Sequence, residues 1–301
     1  MLTGYLHPSY AASLAEFGKP RQLAHSGAWI LERAIPGSTL HDAMGCYPLL
    51  ACPHLQDLPA DLETLSAEIV SLTFVTDPFC DSDPSDLKES LDVCVPFKRH
   101  YVADLSLPRE ASVSRSHRQH ARRALRTVAV EECQHPPDHL DEWVELYSHL
   151  IQRHQIRGLR AFSRQAFAKQ LAVPGAVLFR VRHGGETIGA NLFYVQDDTA
   201  YSHLSAFSAR GYALGASYAV KWFAMEALAG NVRWLDFGGA AGLADSAEDG
   251  LAQFKRGWAT GKRTAHLCGA VLDREAYAHL TRSRGNQGTL YFPAYRDGEF
   301  A

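Results

Sequence analysis

The sequence predicts an α+β protein built as two halves, each a mixed, mostly antiparallel sheet flanked by helices. Short apolar runs punctuated by Gly, Pro and Asp recur along the chain and read as strands. Segments with apolar residues at helical spacing lie between them. In the second half, three strand-like runs follow one another through hairpin turns, and then a helix, a strand, a helix and a last strand complete the pattern of an α+β layer.

In the first hundred residues the runs 28–33, 69–75 and 100–105 read as strands of a mixed sheet. Between the first two, Leu62, Leu65 and Ile69 recur at helical spacing over Asp61–Ile69, so the expected order is strand, loop, helix, strand. Phe79–Leu87 is a turn-rich loop. A helix over Ser114–Val128, capped by Ser112 or Ser114, carries Arg115, His117, Arg118, His120, Arg122, Arg123 and Arg126. The Pro pair in Gln134–Asp141 breaks the pattern, which places the boundary between halves 1–135 and 136–301.

A second helix over Leu140–His154 puts Trp143, Leu146, Tyr147 and Leu150 on one face. Strands follow over Val177–Arg182, Thr187–Val195 and Thr199–Phe207, and Gly184-Gly185 supplies the positive φ of the first hairpin turn. A helix over Leu214–Ala229, a strand over Val232–Phe237, a helix over Asp249–Trp258 and a strand over Thr264–Leu272 complete the series. No internal repeat is visible.

Composition narrows the function classes. The 301 residues are 46% hydrophobic and 21% charged, as in a globular chain of one large or two ordinary domains. A net charge of -3 argues against bulk electrostatic capture of nucleic acid, leaving only a local basic patch for that task. The six cysteines are dispersed with no CxxC, so free thiols are expected, and the 15 histidines form no close-spaced ligand set, so no metal is expected. No stretch of about 18 apolar residues and no leader pattern occurs, which leads us to expect a soluble cytoplasmic protein without a membrane span. Neither a Gly-x-Ser-x-Gly elbow nor a GxGxxG loop supports a hydrolase or a dinucleotide site.

Alternation along Thr199–Phe207 puts Tyr201, His203 and Ser205 on one face and Ser202, Leu204 and Ala206 on the other. His203 is the candidate base and Tyr201 the candidate acid or orienting group, against the alternative of a satisfied core histidine. Asn191 on the neighbouring strand is a candidate donor to the same pocket. Arg118, Arg122 and Arg126 recur every fourth residue and form a stripe suited to a phosphate-rich partner, a donor nucleotide or tRNA. The alternative is ion pairing with Glu131, Glu132, Asp141 or Glu142. The aromatic C-terminal stretch Leu290–Arg296 is expected to dock on the body.

Three motifs carry a resemblance. They are the helix Tyr218–Ala227 (YAVKWFAMEA), the strand end Trp234–Gly239 (WLDFGG), and Asp249–Trp258 (DGLAQFKRGW). The last two resemble the DFGG and GLxxFKxxFG segments of the double-GNAT, Fem-like acyltransferases, with Trp258 in the aromatic place and Ala259 where Gly is usual. Arg118–Arg126 (RQHARRALR) is similar to the RRxxRRA segment that joins the two halves of such proteins.

This resemblance implies two GNAT-like halves and an N-acyltransferase that moves an acyl group from acyl-CoA (acetyl-CoA), or an aminoacyl group from aminoacyl-tRNA, onto a small-molecule or peptide amine by direct attack. It implies that Lys255 steadies a phosphate or the developing oxyanion, and that Asp236 orients the amine or caps the following turn. Phe254 and Trp258 would contact substrate. The pyrophosphate-binding pattern Q/R-x-x-G-x-G/A is matched by Arg210-Gly211-Tyr212-Ala213-Leu214-Gly215-Ala216, with Ala213 in place of the first Gly. Ser205, Arg210, Gly211, Leu214, Gly215 and Ala216 are therefore the expected donor-binding residues. The alternative is a non-catalytic module of this fold that holds a nucleotide, RNA or protein partner.

Overall fold

The computed structural model describes residues 1–80, 87, 89–240 and 250–299. Most of the expected loop Phe79–Leu87, and Asp249 at the start of the last expected helix, lie outside the described residues. Along the chain, α1 (Pro8–Ser13) leads to β1 (Lys19–Gln22), β2 (Trp29–Ala34) and β3 (His41–Gly45). Then come α2 (Leu58–Leu65), β4 (Ser71–Val75), β5 (Val93–Asp104), α3 (Arg109–Ser112), α4 (Arg115–Ala124), β6 (Ala129–Cys133), α5 (Leu140–His154) and α6 (Arg164–Leu171). The rest is β7 (Ala176–His183), β8 (Glu186–Gln196), β9 (Thr199–Phe207), α7 (Ala209–Ala213), α8 (Ala216–Leu228), β10 (Trp234–Asp236), α9 (Gly250–Arg256), β11 (Gly261–Val271) and α10 (Arg274–Ser283).

The chain forms two compact units, Met1–Ser9 with Lys98–Arg263, and Tyr10–Phe97 with Thr264–Ala301. This grouping differs from a division at 135/136, because the pairing is non-local. The end of β5 joins β10, while β11 joins β4. The basic helix α4 thus belongs to the same unit as the sheet of the second half.

In the unit containing Lys98–Arg263 the strand order is β5-β10-β9-β8-β7-β6. Every neighbouring pair is antiparallel except β10 and β9. The β7–β8 hairpin turns on Gly184 and Gly185 at φ 60° and 86°, conformations that a Cβ disfavours. Apolar residues of α8 (Ala219, Val220, Ala224, Met225) pack with Phe179, Phe193 and Leu235 in one core. α5 contacts β8 and β9, and its Trp143 and Tyr147 rings pack against Phe167 of α6. α5 matches the expected span and ends where Gln155 turns left-handed at φ 48°. α4 begins at the Ser114 cap, whose side chain accepts from the His117 N–H, and it is shorter than expected, ending at Ala124.

In the other unit the order is β1-β2-β3-β4-β11, with β3 and β4 parallel. α2 places Leu58, Leu62 and Leu65 in a core with Ile30, Leu72 and Phe74. β1 and β3 were not expected, so the order in this region is strand, strand, strand, helix, strand. β1 is Lys-Pro-Arg-Gln, an edge strand without apolar alternation, where Pro20 is tolerated because an edge needs fewer donors.

The C-terminal segment docks as expected. Tyr295 is fully buried, and its hydroxyl meets Ser71 and Asp42. Arg296 Nε and Nη2 both donate to the fully buried carboxylate of Asp42, at 2.7 and 2.8 Å. Two parallel charge-assisted bonds on a desolvated acid make this pair the lock on the C-terminus. Asp42→Ala takes from Arg296 its buried carboxylate partner, leaving only the more exposed Glu299, and is expected to reduce stability by about 3 kcal/mol, measured as a fall in the urea midpoint at unchanged m-value.

Candidate active site

The site begins at an interrupted strand pair. β10 pairs in parallel with β9 only from Trp234–Thr199 to Asp236–Tyr201. Beyond Asp236 the chain stays with β5, since the Phe237 N–H donates to Tyr101 O and the Tyr101 N–H donates to Gly238 O. β9 itself continues to Phe207, so among the described residues its edge opens at Ser202. Gly238 makes the following turn at φ 75° and donates its N–H to Asp236 Oδ1 at 2.7 Å. Asp236 therefore caps this turn, one of the two roles expected of it.

On the α8 side of the sheet lies a buried amine. Lys221 Nζ is 2.5 Å from Asn191 Oδ1 and 2.6 Å from Ser202 Oγ, and it stands 5.1 Å above the Phe193 ring. Asn191 Nδ2 donates to Leu204 O at 2.9 Å and toward Ser202 Oγ at 3.3 Å. Burial pushes the Lys221 ammonium well below its usual range, and the nearby positive charge of Lys255 adds to the effect. Asn191 thus serves Lys221, not a pocket shared with His203.

On the opposite side, His100 Nδ1 donates to Asp236 Oδ2 at 2.7 Å with both groups buried. Tyr201 and His203 do share a face, since both rings pack edge-on against Tyr5 at 5.3 and 5.6 Å. His203 Nδ1 lies 3.0 Å from the Tyr5 hydroxyl, and Tyr194 and Phe162 pack on its ring. Burial pushes His203 down to about 3, so the imidazole is neutral in a closed aromatic box. These contacts match the core-histidine alternative. Ser205 does not continue the column. A bulge between Leu192 and Phe193 resets the alternation and sets Ser205 opposite Asn191.

Lys255 Nζ donates to Gly239 O at 2.6 Å, and Lys98 Nζ donates to Ala240 O at 3.1 Å, so two ammonium groups hold the turn after β10. Phe254 is half-buried, whereas Trp258 is fully buried in the core, which removes it from the expected substrate contacts. His117 packs on Trp258, Tyr218 and Phe254, and its Nε2 bonds Phe254 O at 2.9 Å.

In the expected donor loop, Ala213 closes α7 in helical conformation, and the left-handed residue is Gly215 at φ 71°. Ala in place of Gly at 213 therefore carries no backbone strain. α8 starts at Gly215 without a side-chain cap. Gly211 has a packing reason, because a Cβ there would lie 2.1 Å from Ile188 O. Arg210 is in an exposed pair with Glu186, and Ala216 is fully buried in the core beside half-buried Leu214.

The arginine stripe is unneutralised. Among the described residues, Arg115, Arg118, Arg122, Arg123 and Arg126 make no ion pair. Of the acids expected to pair with them, Glu131 and Glu142 are engaged by Arg180 and Asp141 by Arg164. A groove of about 450 Å³ at the start of α4 is lined by Ser114, Ser116, His117, Tyr218, Phe254 and Arg256 among others. His120 stacks on Tyr218 beside it.

Sequence reasoning missed Lys221, Ser202 and His100. A signal for Lys221 was present, a lone lysine inside the apolar run Ala216–Leu228. None existed for His100, whose partner is 136 residues away. Among the described residues, no group of His, Cys, Asp and Glu could hold a metal ion, and no helix is long and apolar enough to cross a membrane.

Residues 111–256 match the family model of the acetyltransferase (GNAT) domain. No curated protein sequence matches the chain. The structure is similar to FemX at a TM-score of 0.68 and 15% identity, covering 90% of this chain and 93% of that one. It is also similar to the C-terminal domain of an Agrobacterium fabrum protein described as a putative lysylphosphatidylglycerol synthetase, at 0.64 and 17%, covering 93% and 92%. L-PGS from Bacillus licheniformis gives 0.57 and 15%, covering 88% of each chain. The fold is thus the one these structures share, and residues 111–256 carry the similarity to the GNAT domain.

The buried imidazole predicts an acid-labile fold. Between about 3 and 6.5 the unfolded chain protonates His203 and the folded protein does not, so stability falls as pH drops across that window. The slope contributed is up to about 1.4 kcal/mol per pH unit. Urea midpoints measured from pH 7 to pH 4 should fall less steeply in His203→Gln than in the wild type.

Proposed function

We propose that the protein is an N-acyltransferase that moves an acyl or aminoacyl group from a thioester or ester donor onto an amine by direct attack. The observation that carries this reading is the open β9 edge at Ser202, flanked by Lys221 and backed by Lys255 at the next turn. An unpaired strand edge offers backbone N–H groups to a carbonyl oxygen whose charge grows in the transition state.

Of the two donor classes, the α4 stripe favours aminoacyl-tRNA. Five arginines without acidic partners among the described residues, next to a groove with Tyr218 and Arg256, suit a phosphate backbone and a stacking base. Acyl-CoA remains the donor that the family match supports in general. The acceptor is an amine of a small molecule or peptide.

Gel-shift titrations with a charged tRNA mixture, run as a salt series, test the donor. Affinity should fall steeply with salt, and Arg118→Glu with Arg122→Glu should lower the log–log slope by roughly two, one for each phosphate no longer neutralised. Salt-insensitive binding of acetyl-CoA that survives the charge reversals assigns the donor to CoA instead. Binding of neither supports a non-catalytic protein-binding module.

A further inference from the structure

Lys221 is costly to keep. It occupies the middle of α8, 6% exposed, inside a core of Phe193, Phe237, Ala219 and Met225. Its hydrogen-bonding neighbours are two neutral oxygens, Asn191 Oδ1 and Ser202 Oγ, and no carboxylate is among its partners in the described residues. The groups that face it are Asn191 and Phe193 from β8, Ser202 from β9, Phe237 after β10, and the charge of Lys255 from α9. Burial disfavours an uncompensated ammonium here and shifts the group toward its neutral form. A methionine would fill the same volume without that burden.

Its partner toward the strand opening is Ser202. That residue is half-buried and is the first on β9 past the last pair with β10, so its hydroxyl stands where the strand edge opens, with Lys221 Nζ 2.6 Å behind it. Asn191 holds both members, accepting from Nζ and donating toward Oγ, and is itself anchored to Leu204 O. A serine hydroxyl backed by a neutral amine can accept a proton at one side while releasing its own at the other.

We propose that Ser202 and Lys221 form the proton path of the acyl-transfer site, an inference that rests on the acyltransferase reading above. As the acceptor nitrogen bonds to the donor's carbonyl carbon, its proton passes to Ser202 Oγ, and the Ser202 proton passes to Lys221 Nζ. When the bond from that carbon to the donor's sulfur or oxygen breaks, Lys221 returns the proton through Ser202 to the leaving thiol or hydroxyl. Both side chains end as they began, and no other reactant is needed. Ser202 is the catalytic residue, and Lys221 and Asn191 are positioning residues that act through it.

Two measurements on the full-length protein test this. In the first, lysine labelled with carbon-13 at Cε is followed by NMR, with Lys221→Met assigning the signal. A neutral amine at pH 7 is expected, and a Lys221 signal that is fully charged at that pH overturns the path. The second follows transfer from acetyl-CoA and from lysyl-tRNA to glycinamide, read against pH. Ser202→Ala and Lys221→Met should each lower kcat by about 100-fold, within the range of general-base effects, and abolish the limb that rises with pH. Lys221→Met should keep or raise the thermal midpoint, and Ser202→Thr, which restores a hydroxyl, should recover most of the rate.

Wild-type transfer with unchanged pH profiles in Ser202→Ala and Lys221→Met overturns the proton path and leaves the acyltransferase reading standing. An acyl group trapped on Ser202 by mass spectrometry overturns it in favour of a covalent intermediate. No transfer by the wild type from either donor removes the acyltransferase reading, and the path falls with it.

Discussion

The departure of the chain from β9 after Asp236 is the constraint on which the rest of the site depends. Three residues of β10 pair with β9, and then Phe237 and Gly238 take their hydrogen bonds from Tyr101 of β5 instead. The register of β10 with β9 ends at the Asp236–Tyr201 pair, so among the described residues no strand pairs with that side of β9 from Ser202 onward. Gly238, left-handed at φ 75°, and the cap from Asp236 make that commitment local and rigid. The ammonium groups of Lys255 and Lys98 then hold the carbonyls of the turn.

Around this opening, two polar systems lie on opposite faces of one sheet. Lys221, Asn191 and Ser202 face α8, while His100 with Asp236, and Tyr5 with His203, lie on the other side. Each is desolvated, and each is hydrogen-bonded within the described residues. Desolvation acts the same way on both bases, disfavouring the cation: it leaves His203 neutral near pH 7 and lowers the Lys221 ammonium well below its usual range. Their differing access separates them chemically. His203 is enclosed by Tyr5, Tyr194 and Phe162, whereas Lys221 reaches the strand opening through Ser202.

The charges at the surface follow a different logic. Arg180 gathers Glu131 and Glu142, and Arg164 takes Asp141, so these acids, near α4 in sequence, are consumed by cations of β7 and α6. Exposed pairs of this kind add little to stability. Their consequence is that, among the described residues, no acid pairs with the arginines of α4, which is the property a phosphate-rich partner would use.

The succession α5, β7, β8, β9, α8, β10, α9 was legible from periodicity and turn residues, and so was the basic helix, because those signals are local; the short helices α6 and α7 were not expected. Tyr201 and His203 on one face followed from the two-residue repeat of a strand. Ser205 did not, because a bulge between Leu192 and Phe193 shifts the repeat by one, and bulges leave no mark in composition. The strand β1, all polar at a sheet edge, was silent for the same local reason. What the sequence determined by itself was most of the strands and longer helices and where the cationic stripe and the DFGG turn lie, since hydrogen-bond geometry and side-chain period act over a few residues. Only the tertiary structure decided that β11 joins β4, that His100 meets Asp236, and that Lys221 stands behind Ser202. Those choices belong to long-range pairing and burial, whose free energy depends on residues that the chain brings together only when it folds.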